Sequence, residues 1–169
     1  MSRIWKPEDA REPTAPGAAP RSHATAKYGV VDTTFSTVDM GGIAVATLRG
    51  IGVAPNRILR KTVPGFKDLA VAALNLLQKD GCSIAIACGM PGPEPIDKQC
   101  GHEASLAIGQ AQLMVSAHIL ECFVHMDEAR SDAELIRICQ NRVAEHALNM
   151  VWLVERPEEL SRRVGTGQR

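Results

Sequence analysis

Short apolar runs alternate along this chain with longer windows in which apolar residues recur at helical spacing. The runs span residues 28–31, 58–63, 83–88 and 119–124, and each has the length of a strand. The windows span residues 39–50, 67–80, 102–117 and 132–155, where Asp132 suits an N-cap and Pro157 stops the last helix. Because right-handed crossovers return successive strands to one sheet, the alternation predicts an α/β fold, a single three-layer domain with a four-stranded parallel sheet flanked by helices.

The segment before the first predicted strand differs in composition from the rest of the chain. Residues 1–27 mix proline with alanine, serine, threonine and charged residues, and they show no apolar period. Such a segment has too few apolar residues to join a core. We therefore predict a mobile N-terminal extension at residues 1–27 and one folded domain at residues 28–169.

The segments that follow the predicted strands hold most of the loop residues able to do chemistry. They are residues 32–35 (DTTF), 64–68 (PGFKD), 89–101 (GMPGPEPIDKQCG) and 125–128 (HMDE). In a parallel sheet all four segments lie at the carboxyl edge, where ligands of open α/β sheets bind beside helix N-termini. The sequence therefore predicts a polar cleft at that edge.

Two aromatic residues come directly after predicted strands in a chain that has only six aromatic residues in all. Phe35 and Phe66 present either a surface on which a flat heterocycle stacks or two plugs that close the sheet end as core. The sequence leaves both interpretations open.

Two histidines belong to the loops at this edge, and carboxylates stand beside both. His102 precedes Glu103, and His125 lies close to Asp127 and Glu128. Imidazole suits proton transfer near neutral pH because its unperturbed pKa is about 6.5. Surface or hydrogen-bonded histidines are the alternative.

Four further residues at this edge have both a functional and an ordinary interpretation. Lys67 and Lys98 are placed to orient an anionic or polyhydroxy substrate, or else they are solvated lysines. Asp68 stands in the first turn of a predicted helix, where a carboxylate satisfies backbone N–H groups. Cys100 lies near His102, but neither an oxyanion arrangement nor a third partner supports a cysteine nucleophile.

Composition excludes several classes of protein. The 169 residues are 45% apolar, and 19 basic side chains balance 19 acidic ones, so no net field attracts nucleic acid or an anionic membrane. No apolar stretch approaches the roughly 20 residues of a membrane span, and the N-terminus lacks a secretory core, so we expect a cytoplasmic protein. The five cysteines show no Cys-x-x-Cys spacing and are expected to be buried free thiols. Neither a phosphate-binding loop nor a dinucleotide fingerprint is present.

Five blocks of sequence stand in order between residues 28 and 167. They are YGVVDTTFSTVDM, RKTVPGFKDLAVA, GMPGPEPIDKQCGHEASL, AQLMVSAHILECFVHMDEA and AEHALNMVWLVERPEELSRRVGTG. The blocks resemble the archaeal-type riboflavin synthases, which are similar in fold to lumazine synthase and unrelated to the bacterial and plant riboflavin synthases. The resemblance implies a lumazine synthase-like α/β domain.

The resemblance also implies a reaction. Two molecules of 6,7-dimethyl-8-ribityllumazine exchange a four-carbon unit to give riboflavin and 5-amino-6-ribitylaminouracil. The family uses no organic cofactor and is reported to require Mg²⁺. The chemistry needs two rings placed face to face, groups that hold two ribityl chains, and proton transfer at the C7 methyl carbon.

Each demand of that reaction has candidate residues here. The substrate-binding candidates are Thr33, Thr34, Phe35, Met40, Pro64, Gly65, Phe66, Lys67, Asp68, Met90 and Lys98. Among them Phe35, Pro64 and Phe66 are expected to hold the rings. His102 and His125, with Glu103 and Glu128, are the proton-transfer candidates. The segment 89–101 is expected to arch over the cleft, so that Met90 and Lys98 reach the substrates.

Two alternatives share the predicted scaffold. Lumazine synthases carry a Gly-Ala/Thr-Thr-x-His type loop after the third strand, whereas this chain has Gly-Met-Pro-Gly-Pro-Glu-Pro there, so the departure favours riboflavin synthase. A catalytically silent flavin- or lumazine-binding protein is the second alternative, and measured turnover distinguishes it.

The last predicted helix carries an apolar stripe and a second apolar side. The stripe consists of Ile136, Cys139, Val143, Ala147, Val151 and Val154, and the second side carries Leu148 and Trp152. A second apolar side suggests contact with another subunit, and deep packing within one chain is the alternative. The resemblance implies a homopentamer with active sites between neighbouring subunits.

Overall fold

A four-stranded parallel sheet with helices on both faces forms the centre of the computed structural model, which describes residues 26–166. The strands are β1 (Tyr28–Thr33), β2 (Ile58–Val63), β3 (Ile84–Gly89) and β4 (Ile119–Phe123); the helices are α1 (Met40–Gly50), α2 (Phe66–Gln78), α3 (Pro95–Val115), α4 (Asp132–Glu155) and α5 (Pro157–Arg162). The predicted fold class is confirmed. The N-terminal extension predicted at residues 1–27 lies outside the described residues, apart from its last two.

The order of the strands is β2-β1-β3-β4, which places β1 and β3 at the centre. Helices α1 and α4 cover one face of the sheet, and α2 and α3 cover the other. The chain leaves β1 toward the first face and leaves β3 toward the second. A crevice therefore opens between the carboxyl ends of these two strands, which is where ligands of open α/β sheets bind.

Two apolar cores pack against the sheet because successive side chains of a strand point to opposite faces. Val30 belongs to the core under α1 and α4, whereas Val31 belongs to the core under α2 and α3. Every residue of β1 and β3 is buried, as continuous apolar runs in central parallel strands require. β2, at one end of the sheet, is only partly buried.

The start of α3 corrects one prediction. The helix begins at Pro95, seven residues before the predicted start at residue 102, so the connection from β3 comprises only residues 90–94. Its first three residues are buried, and no arch of residues 89–101 extends over the cleft. Pro95 occupies the first turn, where proline's fixed φ suits a helix and its missing N–H has no partner to lose.

The N-cap of α4 differs from expectation, whereas the helix ends at Glu155, before Pro157, as predicted. Ser131 is the N-cap in place of Asp132, and its Oγ accepts a hydrogen bond from the N–H of Glu134 at 3.3 Å. Pro157 ends α4 and begins the short α5.

The predicted apolar stripe of α4 is mostly buried, but it has an exposed end. Cys139, Val143 and Ala147 lie in the core, whereas Ile136 remains 43% exposed. On the second side, the guanidinium of Arg163 stacks at 3.8 Å from the ring centroid of Trp152. Arg163 of the same chain therefore covers part of the second apolar side of α4, for which contact with another subunit was predicted.

The cysteines are free thiols, and four of the five are buried. Burial raises the pKa of Cys82 to about 11 and that of Cys139 to about 12, so both thiols stay protonated at neutral pH. The expectation of buried thiols is confirmed at four positions, and Cys100 is half-buried. Among residues 26–166, no helix is both long enough and apolar enough to cross a membrane.

Candidate active site

All three phenylalanines of the chain meet at the carboxyl edge of the sheet. Phe35 follows β1, Phe66 begins α2, and Phe123 ends β4. The ring centroids of Phe35 and Phe66 lie 5.7 Å apart at an angle of 70°, and those of Phe66 and Phe123 lie 5.8 Å apart at 48°. We call these three residues the phenylalanine platform, because their rings pack into one apolar cluster at the carboxyl edge.

Exposure assigns different roles to the two phenylalanines predicted from the sequence. Phe66 is only 7% exposed and closes the core beneath α2 and α3. Phe35 is 48% exposed and rests edge-on against Phe66. The core interpretation therefore fits Phe66, whereas Phe35 keeps about half of its surface open, as stacking on a flat heterocycle requires.

Gly89, the last residue of β3, permits the close packing of the platform. A Cβ atom at this position would lie 2.8 Å from Cε1 of Phe123 and 3.1 Å from Cδ1 of Phe66. The glycine is therefore required by a close approach of side chains to the backbone. Sequence reasoning assigned no role to Gly89 or Phe123, although a glycine at the end of a buried strand is a signal of such an approach.

The loop after β1 is fastened to the end of β2. The N–H of Thr34 donates to the carbonyl of Val63 at 2.9 Å, and its Oγ1 donates to the carbonyl of Pro64 at 3.3 Å. Thr33 is buried and shares a hydrogen bond of 3.0 Å with Ser36. The predicted loop residues 32–35 and 64–68 are thus brought together, with Thr34 and Pro64 exposed beside Phe35.

Two ion pairs place the first turns of α3 between α2 and the loop after β4. Lys67 pairs with Glu103, whose other oxygen accepts from Nε2 of Gln99 at 3.0 Å. Lys98 pairs with Asp127 at 2.5 Å, and this hydrogen bond lowers the pKa of Asp127. All four charged side chains are between 41% and 59% exposed, so solvent screens both pairs and each is weak. Either lysine can therefore exchange its carboxylate for a ligand oxygen at small cost.

The two histidines predicted for proton transfer lie on different elements at this end of the domain. His102 is exposed on α3, one helical turn after Lys98, and His125 is half-buried just before the 3-10 turn Met126–Glu128. By contrast, His118 precedes β4 at the opposite edge, and Nδ1 of His146 hydrogen-bonds the carbonyl of Arg142 within α4. Of the histidines in residues 26–166, only His102 and His125 therefore accompany the platform edge.

Glu128 is committed to a structural ion pair. Arg142 on α4 donates to both of its carboxylate oxygens, at 2.8 and 2.5 Å, and also donates to the carbonyl of Phe123 at 2.8 Å. The hydrogen bond from Arg142 is the main cause that lowers the pKa of Glu128. A carboxylate held as an anion in this way is a weak base at neutral pH. We therefore assign Glu128 to positioning, through an arginine that the sequence did not single out.

The two methionines proposed as substrate contacts are buried. Met40 is 1% exposed and Met90 is 0% exposed, and Sδ of Met90 accepts a hydrogen bond from Thr37 at 3.2 Å. The expectation that Met90 reaches over the cleft is therefore wrong for this chain, because the side chain points into the core under α1 and α4. Gly65 is the N-cap of α2, and exposed Asp68 occupies its first turn, where a negative charge favours the helix.

Comparison with known proteins agrees with this architecture. Residues 25–158 match the model of the family described as 6,7-dimethyl-8-ribityllumazine synthase. The chain is 48% identical over 143 residues to a riboflavin synthase of Methanothermobacter thermautotrophicus, covering 85% of this chain and 93% of that protein. It is 41% identical over 143 residues to a riboflavin synthase of Archaeoglobus fulgidus, with coverage of 85% and 92%. The chain therefore belongs to the 6,7-dimethyl-8-ribityllumazine synthase family.

Proposed function

We propose that this chain is a riboflavin synthase of the archaeal type. It converts two molecules of 6,7-dimethyl-8-ribityllumazine into riboflavin and 5-amino-6-ribitylaminouracil by transfer of a four-carbon unit. The observation that carries the proposal is the 48% identity to a protein of that name over 85% of the chain. The substrate is both donor and acceptor of the four carbons, so the reaction balances without an organic cofactor.

The phenylalanine platform supports this function because the substrates are flat heterocycles. The half-exposed ring of Phe35 stacks on one lumazine, and Pro64 borders the same surface. Thr34, Lys67, Asp68 and Lys98 are the proposed partners of ribityl and ring oxygens. Thr33, which the sequence also suggested as such a partner, is buried and acts through its hydrogen bond to Ser36, not by direct contact.

We assign proton transfer at the C7 methyl carbon to His102 and His125. Glu103 lies beside His102 and holds Lys67 by an ion pair. Glu128 fixes the loop that begins with His125, because its carboxylate accepts a hydrogen bond from the N–H of His125. Holding two rings in register supplies about 7–11 kcal/mol of barrier lowering in favourable cases. Much of the catalysis is therefore positioning of the two substrates, and the histidines complete it.

Magnesium, which the resemblance implies, has no identifiable set of protein ligands among the described residues. Mg²⁺ is usually held by one or two carboxylates together with waters and substrate oxygens. Among residues 26–166, no group of three or more His, Cys, Asp or Glu side chains is placed to hold a metal ion. Three of the carboxylates at the edge, Glu103, Asp127 and Glu128, each pair with a basic side chain. We therefore name no magnesium ligand and assign no catalytic step to the ion. The requirement of the enzyme for magnesium stays a prediction.

We propose further that the enzyme is a cytoplasmic homopentamer whose active sites lie between subunits. Exposed apolar side chains on α2 and α3 support an assembly, since Val71, Leu106, Leu113 and Met114 are between 53% and 84% exposed. An open platform supports shared sites, because among residues 26–166 the phenylalanine platform is the only group of aromatic rings at this edge of the sheet. The free thiols are consistent with a reducing compartment.

The test is incubation of the purified protein with 6,7-dimethyl-8-ribityllumazine alone, with added Mg²⁺ and after chelation. Equimolar riboflavin and 5-amino-6-ribitylaminouracil, followed by chromatography, are the expected products. Absence of both products, together with lumazine formation from the lumazine synthase substrates, would reassign the chain to lumazine synthase. Absence of either activity with tight riboflavin binding would leave a binding protein.

A further inference from the structure

One arginine joins the two ends of the loop between β1 and α1. Arg60 on β2 donates from its guanidinium to the carboxylates of both Asp32 and Asp39. Asp32 is the last residue of β1 but one, and Asp39 is the N-cap of α1, where its Oδ1 accepts from the N–H of Gly42 at 2.9 Å. Residues 33–38, which include Thr34 and Phe35, lie between these two carboxylates.

We propose that Arg60 is a positioning residue for the reaction, because it clamps the base of residues 33–38 and so fixes Thr34 and Phe35 against the substrate. This inference rests on the function proposed above. Arg60 acts through Asp32 and Asp39 and not by contact with the phenylalanine platform. We call Arg60 with these two carboxylates the loop clamp.

The glycine pair at the start of α1 is explained by the loop clamp. A Cβ atom at Gly41 would lie 2.4 Å from Oδ2 of Asp32 and 2.7 Å from Nε of Arg60. A Cβ atom at Gly42 would lie 2.2 Å from Oδ2 of Asp39. Any side chain at position 41 would displace the ion pair, so the absence of side chains here lets the helix N-terminus approach both carboxylates.

Burial makes the clamp more than an exposed ion pair. The side chain of Asp32 is only 5% exposed, and Oγ1 of Thr62 donates to it at 2.7 Å. Without Arg60 this carboxylate would keep one hydroxyl partner and no countercharge, which is unfavourable in a buried position. The end of β1 would then have to open toward water. The loop beyond it is largely exposed, so it has little packing of its own to preserve its shape.

Lys61 provides a matched control on the same strand. It follows Arg60 directly, points to the other face of the sheet, and pairs with Asp80, which lies just beyond α2. Lys61→Met therefore removes an ion pair from β2 without touching the loop clamp. Arg60→Lys keeps the charge but lacks the planar fork that reaches two carboxylates.

The experiment compares Arg60→Met, Arg60→Lys and Lys61→Met with the wild type in two readouts. The first is amide hydrogen exchange of residues 34–43, where the N–H groups of Thr34 and Gly42 are hydrogen-bonded. The second is kcat and KM with 6,7-dimethyl-8-ribityllumazine. A further variant, Arg60→Met with Asp32→Asn, removes the buried charge as well and remains informative if the single variant does not fold.

We expect exchange at least tenfold faster and kcat/KM at least tenfold lower in Arg60→Met, and a smaller change in the same direction in the double variant, which lacks the clamp but has no uncompensated buried charge. Lys61→Met should stay within twofold of the wild type in both readouts, and Arg60→Lys should fall between. Exchange equal to that of Lys61→Met would overturn the clamp, and faster exchange with unchanged kcat/KM would overturn its role in the reaction. A wild type without turnover would refute the proposed function instead, while the exchange data would still decide the clamp.

Discussion

Gly89 is the residue on which the packing of the phenylalanine platform depends most directly. In Gly89→Ala the new methyl group would meet the rings of Phe66 and Phe123, so both rings must move. We expect a loss of about 1–3 kcal/mol in the free energy of unfolding, as for other overpacked sites, together with weaker riboflavin binding. Chemical unfolding and fluorescence titration measure the two effects.

Gly109 supplies the control for that substitution. Its Cβ would meet nothing within 4 Å, and it lies inside α3. Gly109→Ala should therefore raise stability by about 0.5–1 kcal/mol, since alanine is the better helix former. If Gly89→Ala behaved like Gly109→Ala, the close approach at the platform would not exist in solution.

A substitution of Phe35 tests ligand binding at the phenylalanine platform with little effect on the stability of the fold. Its ring is 48% exposed and makes an edge contact with Phe66. In Phe35→Ala we expect riboflavin to bind several-fold to about tenfold more weakly, because an aromatic pair is worth about 0.5–1.5 kcal/mol beyond its buried area. The free energy of unfolding should fall by no more than about 1 kcal/mol.

Val164→Ala is the control for Phe35→Ala, since Val164 is 83% exposed beyond α5. It should leave the dissociation constant of riboflavin unchanged when measured by fluorescence quenching. A Phe35 variant that bound riboflavin as tightly as the wild type would remove this ring from the site.

The junction of β4 and α4 depends on the pair of Arg142 with Glu128. Arg142 lowers the pKa of Glu128 below its ordinary value of 4.5, whereas the unfolded chain keeps that ordinary value. The pair therefore stabilises the fold fully above the ordinary pKa, and this contribution is lost as the pH falls through the lowered pKa. We expect the wild type to exceed Glu128→Gln in stability near neutral pH, with a difference that shrinks in acid.

Unfolding by urea at a series of pH values measures that difference. Asp127→Asn is the control, because Lys98 also lowers the pKa of Asp127, but this side chain is 43% exposed. Solvent screens such a pair, so its pH-dependent difference should be smaller. A difference for Glu128→Gln that stayed constant with pH would refute the role of the ion pair.

Local patterns predicted most elements, and they failed where a proline belongs to a helix. The buried strands β1 and β3 show continuous apolar runs, and α4 shows a period that ends at Pro157, so their bounds differ from prediction by no more than two residues. The start of α3 was missed because Pro95 breaks a helix in its interior but favours the first turn. The path of the backbone through residues 90–94 decides whether Pro95 falls in the first turn of the helix or in its interior, and the sequence pattern does not reveal that path.

The location of the candidate site could be predicted from the sequence, but the residues that hold its side chains in position could not. Parallel topology brings the segments after the strands to one edge, so Thr34, Phe35, Lys67 and Lys98 could be grouped from the sequence. Arg60, Arg142 and Gly89 were not found because their roles depend on partners far apart in the chain. Arg60, for example, lies 28 residues from Asp32 and meets it only through the pairing of β1 with β2.

Assembly is the property of the whole molecule on which the proposed active site depends. Leu113 is 84% exposed on α3 and Met114 is 72% exposed beside it, and a surface with two such neighbours is expected to contact another subunit. A carboxylate placed in a desolvated interface is strongly unfavourable. We therefore expect Leu113→Glu to lower the mass found by equilibrium sedimentation, and to lower kcat/KM with it if sites are shared between subunits.

Val164→Glu is the matched control, because Val164 is 83% exposed but lies beyond α5, away from α2 and α3. It should sediment and turn over like the wild type, which shows that a new exposed carboxylate is harmless in itself. A wild type that is active as a monomer would refute shared sites. An assembled and active Leu113→Glu would place the interface on another surface. Loss of assembly with activity retained would mean that each chain holds a complete site, so the open side of the platform would have to bind the second lumazine without a neighbour.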